Sequence, residues 1–245
     1  MTYTPFFLDG DTRPARWRVT CDHAANTVPP MISGGDLGLP AADMARHIAW
    51  DVGAWGVSLA LGRLLDAPVA GANFSRLVID PNRGEDDPTL LMKLYDGTII
   101  PGNRHADADE RNRRLDLCYR PYDRALAGMM APAGSVQLSI HSFTPQLRGR
   151  PPRPWHVGIL HAGANPLAEA LLRLLRAEPD LVTGENEPYG GHLPGDAIDR
   201  HALALGRANV LIELRNDLIA TPEGQQAWAA RLAPLLTRAL ADSGL

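Results

Sequence analysis

Cysteine is scarce in this sequence: only Cys21 and Cys118 occur among 245 residues. Two cysteines form one bridge at most, and small secreted domains depend on more than that, so we expect a reducing compartment. Positive charge is not in excess either, because 24 Lys plus Arg stand against 28 Asp plus Glu. A net charge of −4 leaves no surplus of cations to neutralise phosphates, so we expect no binding to nucleic acid.

Long apolar runs are also missing. A membrane-spanning helix needs ~18 or more consecutive apolar residues, and the longest apolar-rich stretch, residues 48–65, is interrupted by Asp51, Arg63 and three glycines. Residues 1–16 lack the cationic start and apolar centre of a secretory signal. We therefore expect a soluble cytoplasmic protein that contacts no membrane, with one domain over residues 1–245 and no predicted oligomeric state.

Short apolar segments alternate with amphipathic ones along the chain. Runs of Val, Ile and Leu without strict polar alternation are typical of strands buried on both faces. The predicted strands are residues 17–21, 68–72, 76–79, 135–140, 156–160 and 210–214. The predicted helices are residues 41–65, 104–130, 166–177, 196–206 and 222–241. This alternation predicts a three-layer α/β/α fold around a mostly parallel or mixed central sheet.

Two histidines and a carboxylate stand where predicted strands end. His23 follows strand 17–21, His141 follows strand 135–140, and Glu213 lies near the end of strand 210–214. A zinc hydrolase needs neutral imidazoles, an oxygen ligand, an open position for water and a carboxylate as base. The alternative is a structural hydrogen bond for each histidine and an ion pair with Arg215 or Arg83 for Glu213.

Two arginines flank the predicted strand 76–79. Arg76 begins it, and Arg83 follows it in the turn Asp80-Pro81-Asn82-Arg83. A guanidinium fork suits the recognition of a substrate carboxylate. A solvated turn with local salt bridges is the alternative for Arg83.

Several segments together resemble the N-formylglutamate amidohydrolase family. They are DHAANTVP, HIAWDVGA, FSRLVIDPNR, IPGN, SIHSFTP, ENEPYGGH and IELRNDLI, in family order between residues 21 and 219. That family is distantly similar to the zinc carboxypeptidases and to the succinylglutamate desuccinylase and aspartoacylase group. The resemblance implies a phosphorylase/hydrolase-like fold, one zinc ion per chain and the hydrolysis of small N-acyl amino acids.

The resemblance also implies roles for individual residues. His23 is the first zinc ligand, His141 with Ser142 is the last, Asn82 and Arg83 bind the substrate carboxylate, and Glu213 is the general base. Arg76 would stabilise the tetrahedral oxyanion together with the metal. Independently of the resemblance, Tyr189 or Glu187, on a loop flanked by glycine, would close over the substrate; the alternative for Tyr189 is a loop residue that packs its ring. Ser142 is a further candidate for substrate binding.

The remaining ligand departs from the pattern. The superfamily motif is His-x-x-Glu, whereas Asn26 stands three residues after His23, and an amide oxygen is a weaker zinc ligand than a carboxylate. Asp51, a charge in an otherwise apolar segment, is the preferred oxygen ligand, with Asn26 and His47 as substitutes. His47 precedes Asp51 by four residues, so a helix would place both on one face.

These observations predict a zinc-dependent amidohydrolase, with N-formyl-L-glutamate, cleaved to formate and glutamate, as the first substrate. The alternatives are hydrolysis of another N-acyl amino acid or a short peptide, and a metal-free binding protein on the same fold. A serine hydrolase using Ser142 and His141 is disfavoured because no G-x-S-x-G elbow surrounds the serine. Glu185 and Glu187, near Tyr189, are the reserve candidates for the base.

Overall fold

Seven strands form one mixed sheet in the computed structural model, which describes residues 3–245. The strands in chain order are β1 (Phe6–Asp9), β2 (Trp17–Cys21), β3 (Val69–Ala72), β4 (Leu94–Tyr95), β5 (Thr98–Ile99), β6 (Val136–Phe143), β7 (Val157–Leu160), β8 (Thr183–Glu185) and β9 (Asn209–Arg215). The order across the sheet is β1-β3-β2-β6-β9-β7-β8, and β4 and β5 form a separate hairpin.

The four central strands β3, β2, β6 and β9 are parallel to one another. The flanking strands β1 and β7 run antiparallel to their neighbours, and β8 is parallel to β7. Since parallel strands end at the same edge, the residues that follow β2, β6 and β9 meet there. The register of β6 and β9 places His141 directly beside Glu213.

Helices cover both faces of the sheet. They are α1 (Ala41–Met44), α2 (Ala54–Leu64), α3 (Ala108–Arg114), α4 (Arg120–Met130), α5 (Pro166–Arg176), α6 (Ala197–His201) and α7 (Pro222–Asp242). Helices α2 and α5 both contact α7 on one face, and α4 and α6 contact each other on the other. The predicted three-layer α/β/α fold with a mixed sheet is confirmed. Among residues 3–245 no helix has the length and apolar character of a membrane span.

The predicted strand 76–79 is wrong, since this segment is a buried turn. Its amide groups bond to other loops: Ser75 N–H donates to the Thr27 carbonyl and Arg76 N–H to the Ala49 carbonyl. Leu77, Val78 and Ile79 are fully buried in an apolar cluster that includes Phe74 and Ile100. A short run of buried apolar residues is common to strands and buried turns, so the sequence pattern does not separate them.

The predicted helix 41–65 is also wrong as one element, because α1 and α2 are separated by residues 45–53. The last residue of this break, Gly53, precedes α2 and has a φ of +82°. A Cβ at this position would stand 2.1 Å from the Ile219 carbonyl oxygen, so both the backbone conformation and the close contact require glycine. His47 and Asp51 therefore do not share a helix face.

The remaining predicted elements are present with shifted ends. The helix predicted over 104–130 begins at Ala108, because the Asp107 side chain caps α3. A π-helical turn, Leu115–Tyr119, joins α3 to α4. The helix predicted over 196–206 is α6 followed by a short 3₁₀ turn. Strands β1 and β8 and the β4-β5 hairpin were not predicted. Both cysteines are free and buried.

Candidate metal centre and active site

Three buried side chains converge at the carboxyl edge of the central strands. His23 follows β2, His141 lies in β6, and Asp51 comes from the segment between α1 and α2. Asp51 Oδ2 lies 3.2 Å from His23 Nδ1 and 2.8 Å from His141 Nδ1. One ligand atom from each residue lies within 4.8 Å of the others, so this group could hold a metal ion.

The other nitrogen of each imidazole faces a second carboxylate. His23 Nε2 lies 2.8 Å from Asp80 Oδ1, and His141 Nε2 lies 3.3 Å from Asp22 Oδ2. Asp22 also accepts a hydrogen bond of 2.8 Å from the Tyr122 hydroxyl. A carboxylate behind the outer nitrogen fixes the orientation and tautomer of a metal-ligating histidine.

These contacts fit a divalent cation between the histidines. An ionised carboxylate only accepts hydrogen bonds, and a neutral imidazole carries one N–H. His23 and His141 each face carboxylates at both nitrogens. In the neutral tautomer with the N–H on Nε2, toward Asp80 or Asp22, the lone pair of each Nδ1 faces Asp51. A cation among these atoms would satisfy both lone pairs and offset the negative charge of the buried carboxylates.

Asp51 is fixed by its backbone as well as by its carboxylate. Its N–H donates to the His23 carbonyl at 3.0 Å, and its Oδ2 accepts from the Ser142 N–H at 3.2 Å. Asp51 Oδ1 lies 3.5 Å from a guanidinium nitrogen of Arg76. The segment between α1 and α2 thus carries its carboxylate to the sheet edge.

The charges of the site hold its carboxylates in the ionised form. Burial alone would raise the pKa of Asp51, but the charges and hydrogen bonds of His23 and His141 lower it below its usual range. Burial would likewise raise the pKa of Asp80, but the Arg76 charge, together with His23 and Arg83, lowers it well below its usual range. Arg76 donates to Asp80 Oδ2 from two nitrogens, at 2.8 and 3.2 Å.

Glu213 stands apart from this network. Its Oε2 is buried and has no hydrogen-bond partner among residues 3–245. Burial, with the Asp51 charge, raises the pKa of Glu213 above its usual range, although His141, His23 and Arg76 act against the rise. A carboxylate in this setting takes up a proton more readily than an exposed glutamate does. The alternative of an ion pair with Arg215 is not found, because Arg215 pairs with Asp217.

One cavity of about 290 Å³ brings these groups together with the predicted substrate-binding residues. Its lining includes the metal group and Glu213, the predicted residues Arg76, Asn82, Arg83, Ser142 and Tyr189, and in addition Tyr95, His192, Asp196, Leu160, Leu193 and Leu211. Tyr189 is held over the cavity by Arg153, which donates to its hydroxyl at 3.1 Å and lies 4.9 Å from the ring centroid.

Three substitute candidates lie elsewhere. The Asn26 amide donates to the Met44 carbonyl, and His47 lies 3.4 Å from Asp96. Glu185 pairs with Arg176 outside the cavity. Of the residues weighed as the oxygen ligand, Asp51 is therefore the one placed between the histidines.

The contacts of two predicted site residues narrow their roles. The Ser142 hydroxyl donates to the Val52 carbonyl, and His141 contacts Asp51 and Asp22, so no Ser–His pair exists for a serine hydrolase. Each nitrogen of the Arg76 guanidinium faces Asp80 or Asp51. This favours a role in holding the carboxylates over direct contact with an oxyanion.

Several functional positions escaped the sequence analysis although signals for them exist. Asp22 and Asp80 each follow an apolar run directly, where a buried charge needs a partner. The β4-β5 hairpin, which brings Tyr95 to the cavity, turns at Asp96-Gly97 with positive φ at both residues, and Asp-Gly is a strong hairpin signal.

The fold and the buried His–Asp–His group define an α/β protein with a candidate metal centre at the edge of a mixed sheet. Residues 16–220 match the model of the N-formylglutamate amidohydrolase family, and the chain belongs to that family.

Known relatives agree with this assignment. A curated protein named N-formylglutamate deformylase, from Pseudomonas putida, is 30% identical over 158 residues, which cover 57% of this chain and 58% of that protein. A gene product of Agrobacterium tumefaciens has a similar structure, with a TM-score of 0.90 and 35% identity over 98% of this chain and 96% of its own. An N-formylglutamate amidohydrolase from Ralstonia eutropha, 22% identical over 97% of this chain and 98% of its own, shares the fold with a TM-score of 0.67.

Proposed function

We propose that this chain is a zinc-dependent amidohydrolase of small N-acyl amino acids, with N-formyl-L-glutamate as the first substrate to test. The observation that carries the proposal is the His23–Asp51–His141 group facing Glu213 in one cavity. Family membership supports the reaction class, and the name of the Pseudomonas relative supports the choice of substrate.

The ligands in this proposal are His23, Asp51 and His141. Two imidazoles and a carboxylate are a common donor set for catalytic zinc. When bound, zinc lowers the pKa of water toward ~7 and polarises the substrate carbonyl. Asp80 and Asp22 hold the two imidazoles in the tautomer that leaves Nδ1 free for the metal.

Glu213 is the general base of the proposal. It lies beside His141 in the sheet register and lines the same cavity. A carboxylate with a raised pKa takes a proton from the attacking water and later delivers it to the leaving amine nitrogen. In the first transfer the water oxygen bonds to the carbonyl carbon as Glu213 takes the proton. In the second the amide C–N bond breaks as the amine nitrogen receives that proton, so Glu213 ends in its starting form.

The substrate carboxylate is assigned to Asn82 and Arg83. Both line the cavity next to Asp80, and a guanidinium gives a carboxylate charge-assisted hydrogen bonds. Tyr189 covers the cavity from the loop after β8. A small polar substrate offers little apolar area, so charge must supply most of its affinity.

The experiment compares Glu213→Gln with wild type in zinc content and in kcat on N-formyl-L-glutamate. Gln keeps the shape but cannot accept the proton, so we expect zinc to be retained and kcat to fall by ~10²–10⁴. Glu185→Gln is the matched control, because Glu185 pairs with Arg176 outside the cavity.

Four results would overturn parts of this proposal. Loss of zinc from Glu213→Gln would make Glu213 a ligand. Normal turnover in that variant would move the base elsewhere, with Glu187 next to be tested. Wild-type turnover that survives removal of all metal by a chelator would refute the role of zinc. Wild-type protein that binds no zinc when zinc is supplied, and that cleaves no substrate, would favour a binding protein on this fold.

A further inference from the structure

The segment with Asn82 and Arg83 has no regular secondary structure of its own. Residues 79–84 lie in turns and irregular backbone, whereas His141 and Glu213 are fixed by strands. Segments without ladder or helix hydrogen bonds open more easily than the elements around them. The Arg83 side chain is held locally by the Asn82 carbonyl and the Thr89 hydroxyl, whereas the position of the backbone depends on contacts with other segments.

Arg200, on α6, makes the contacts that do this. Its guanidinium donates to the carbonyl oxygens of Pro81 at 3.0 Å and Arg83 at 3.2 Å, the two residues on either side of Asn82. It also donates to the Gly195 carbonyl, just before α6. One side chain thus joins the Asn82 segment to the start of α6.

Other contacts hold Arg200 itself. Its Nε donates to Asp123 Oδ1 on α4 at 3.0 Å, and its guanidinium carbon lies 5.0 Å from the Tyr119 ring centroid. The Tyr119 hydroxyl donates to the same Arg83 carbonyl at 2.7 Å. A planar guanidinium with several fixed donors suits this bridging role better than an ammonium.

The two joined segments also touch directly. Asn82 Oδ1 accepts from the Ala197 N–H at 3.1 Å. A Cβ on Gly195, whose φ is +76°, would come within 2.9 Å of Gly84 Cα, so the two backbones meet without side chains between them.

We propose that Arg200 is a positioning residue for substrate recognition, which locks the Asn82–Arg83 segment to α6 so that both side chains present a fixed site for the substrate carboxylate. The proposal rests on the proposed function for the identity of the ligand. It adds a residue that does not line the cavity and acts through backbone carbonyls.

The test compares Arg200→Met and Arg200→Lys with Arg16→Met in the zinc-loaded protein. Arg16 is a matched control because it also bridges two backbone oxygens, the Gly134 carbonyl and the terminal carboxylate of Leu245, away from the cavity. Hydrogen exchange, followed by mass spectrometry, reports the N–H groups of Asn82 and Ala197. KM and kcat are measured for an N-acyl glutamate and for its α-amide.

We expect faster exchange at both reporters in Arg200→Met and no change there in Arg16→Met. KM for the free carboxylate should rise by about 10- to 100-fold, with smaller changes for the amide, in kcat and in zinc content. Arg200→Lys should lie between Arg200→Met and wild type. If Arg200→Met does not fold, Tyr119→Phe, which removes one bond to the Arg83 carbonyl, should give a smaller change in the same direction.

Unchanged exchange at Asn82 would overturn the proposal, and so would equal losses on both substrates or a loss of zinc with unchanged KM. Failure of the proposed function can be told apart from failure of the role of Arg200. If the wild type cleaves no N-acyl amino acid, the proposed function fails, and the exchange experiment alone decides whether Arg200 holds the segment.

Discussion

The two carboxylates behind the histidines should differ in their effect on zinc affinity. Asp80→Asn and Asp22→Asn each remove a charge that faces an outer imidazole nitrogen, at 2.8 Å for His23 and 3.3 Å for His141. Loss of such a partner weakens metal binding by ~10–100-fold, which is ~1.4–2.7 kcal/mol. The shorter contact places Asp80→Asn at the upper end of this range.

A second effect acts in the same direction for Asp80. Arg76 donates twice to Asp80 and lies 3.5 Å from Asp51. Without Asp80, the buried guanidinium keeps Asp51 as its nearest carboxylate and competes with zinc for it. Within residues 3–245 Asp22 contacts no arginine, and its other partner is the Tyr122 hydroxyl. We therefore expect Asp80→Asn to cost about 100-fold and Asp22→Asn about 10-fold.

The assay is competition for zinc against a chelator of known affinity at fixed pH and salt. Asp123→Asn is the matched control, because Asp123 Oδ1 also lies 2.8 Å from a histidine nitrogen, in His201, outside the cavity. It should leave zinc affinity nearly unchanged. The reverse order of Asp80 and Asp22, or an equal loss in the control, would refute the reasoning.

Two further predictions concern the oxygen ligand and the dependence of stability on pH. Asp51→Ala should lose zinc on dialysis while Asn26→Ala and His47→Ala keep it, because only Asp51 of the three lies between the histidines; elemental analysis that gave the opposite order would contradict this. Burial would raise the pKa of Asp123, but the hydrogen bond from His201 and the charge of Arg200 lower it. A carboxyl group whose pKa is lower in the folded than in the unfolded state stabilises the protein above the unfolded pKa of ~4. This stabilisation is lost as pH falls through the folded-state pKa. The gap in free energy of unfolding between wild type and Asp123→Asn, from urea titrations, should thus shrink below pH ~4; a gap that widened there would contradict the assignment.

The part of the site that rests on parallel strands could be predicted from the sequence. Short apolar-rich segments identified β2, β6 and β9, and parallel strands end at a shared edge. His23, His141 and Glu213 therefore come together without any knowledge of the loops. Asp51 was found for a different reason, as a lone charge in an apolar segment.

The rest depended on contacts between segments that are distant in sequence. Ser75 and Arg76, at the start of the buried turn, donate to the Thr27 and Ala49 carbonyls, and a pattern over four residues contains no information about those partners. The break before α2 follows from the approach of Gly53 to the Ile219 carbonyl, 166 positions along the chain. The hydrogen bonds from Arg200 to the Pro81 and Arg83 carbonyls also join segments that are more than 100 positions apart.

The irregular segment between α1 and α2 would give a bound zinc ion a second effect, on local stability. Its contacts near the site include the Asp51 amide, the Val52 carbonyl and the Asp51 carboxylate, which contacts both histidines. The Ala49 carbonyl bonds to the buried turn at Ser75 and Arg76. A ligand that binds only the closed form stabilises it by mass action, by ~4.1 kcal/mol at 1,000 times its dissociation constant. Local opening of residues 45–53, and cleavage there by a protease, would then depend on free zinc concentration, and the chain would resist degradation in proportion to its metal supply.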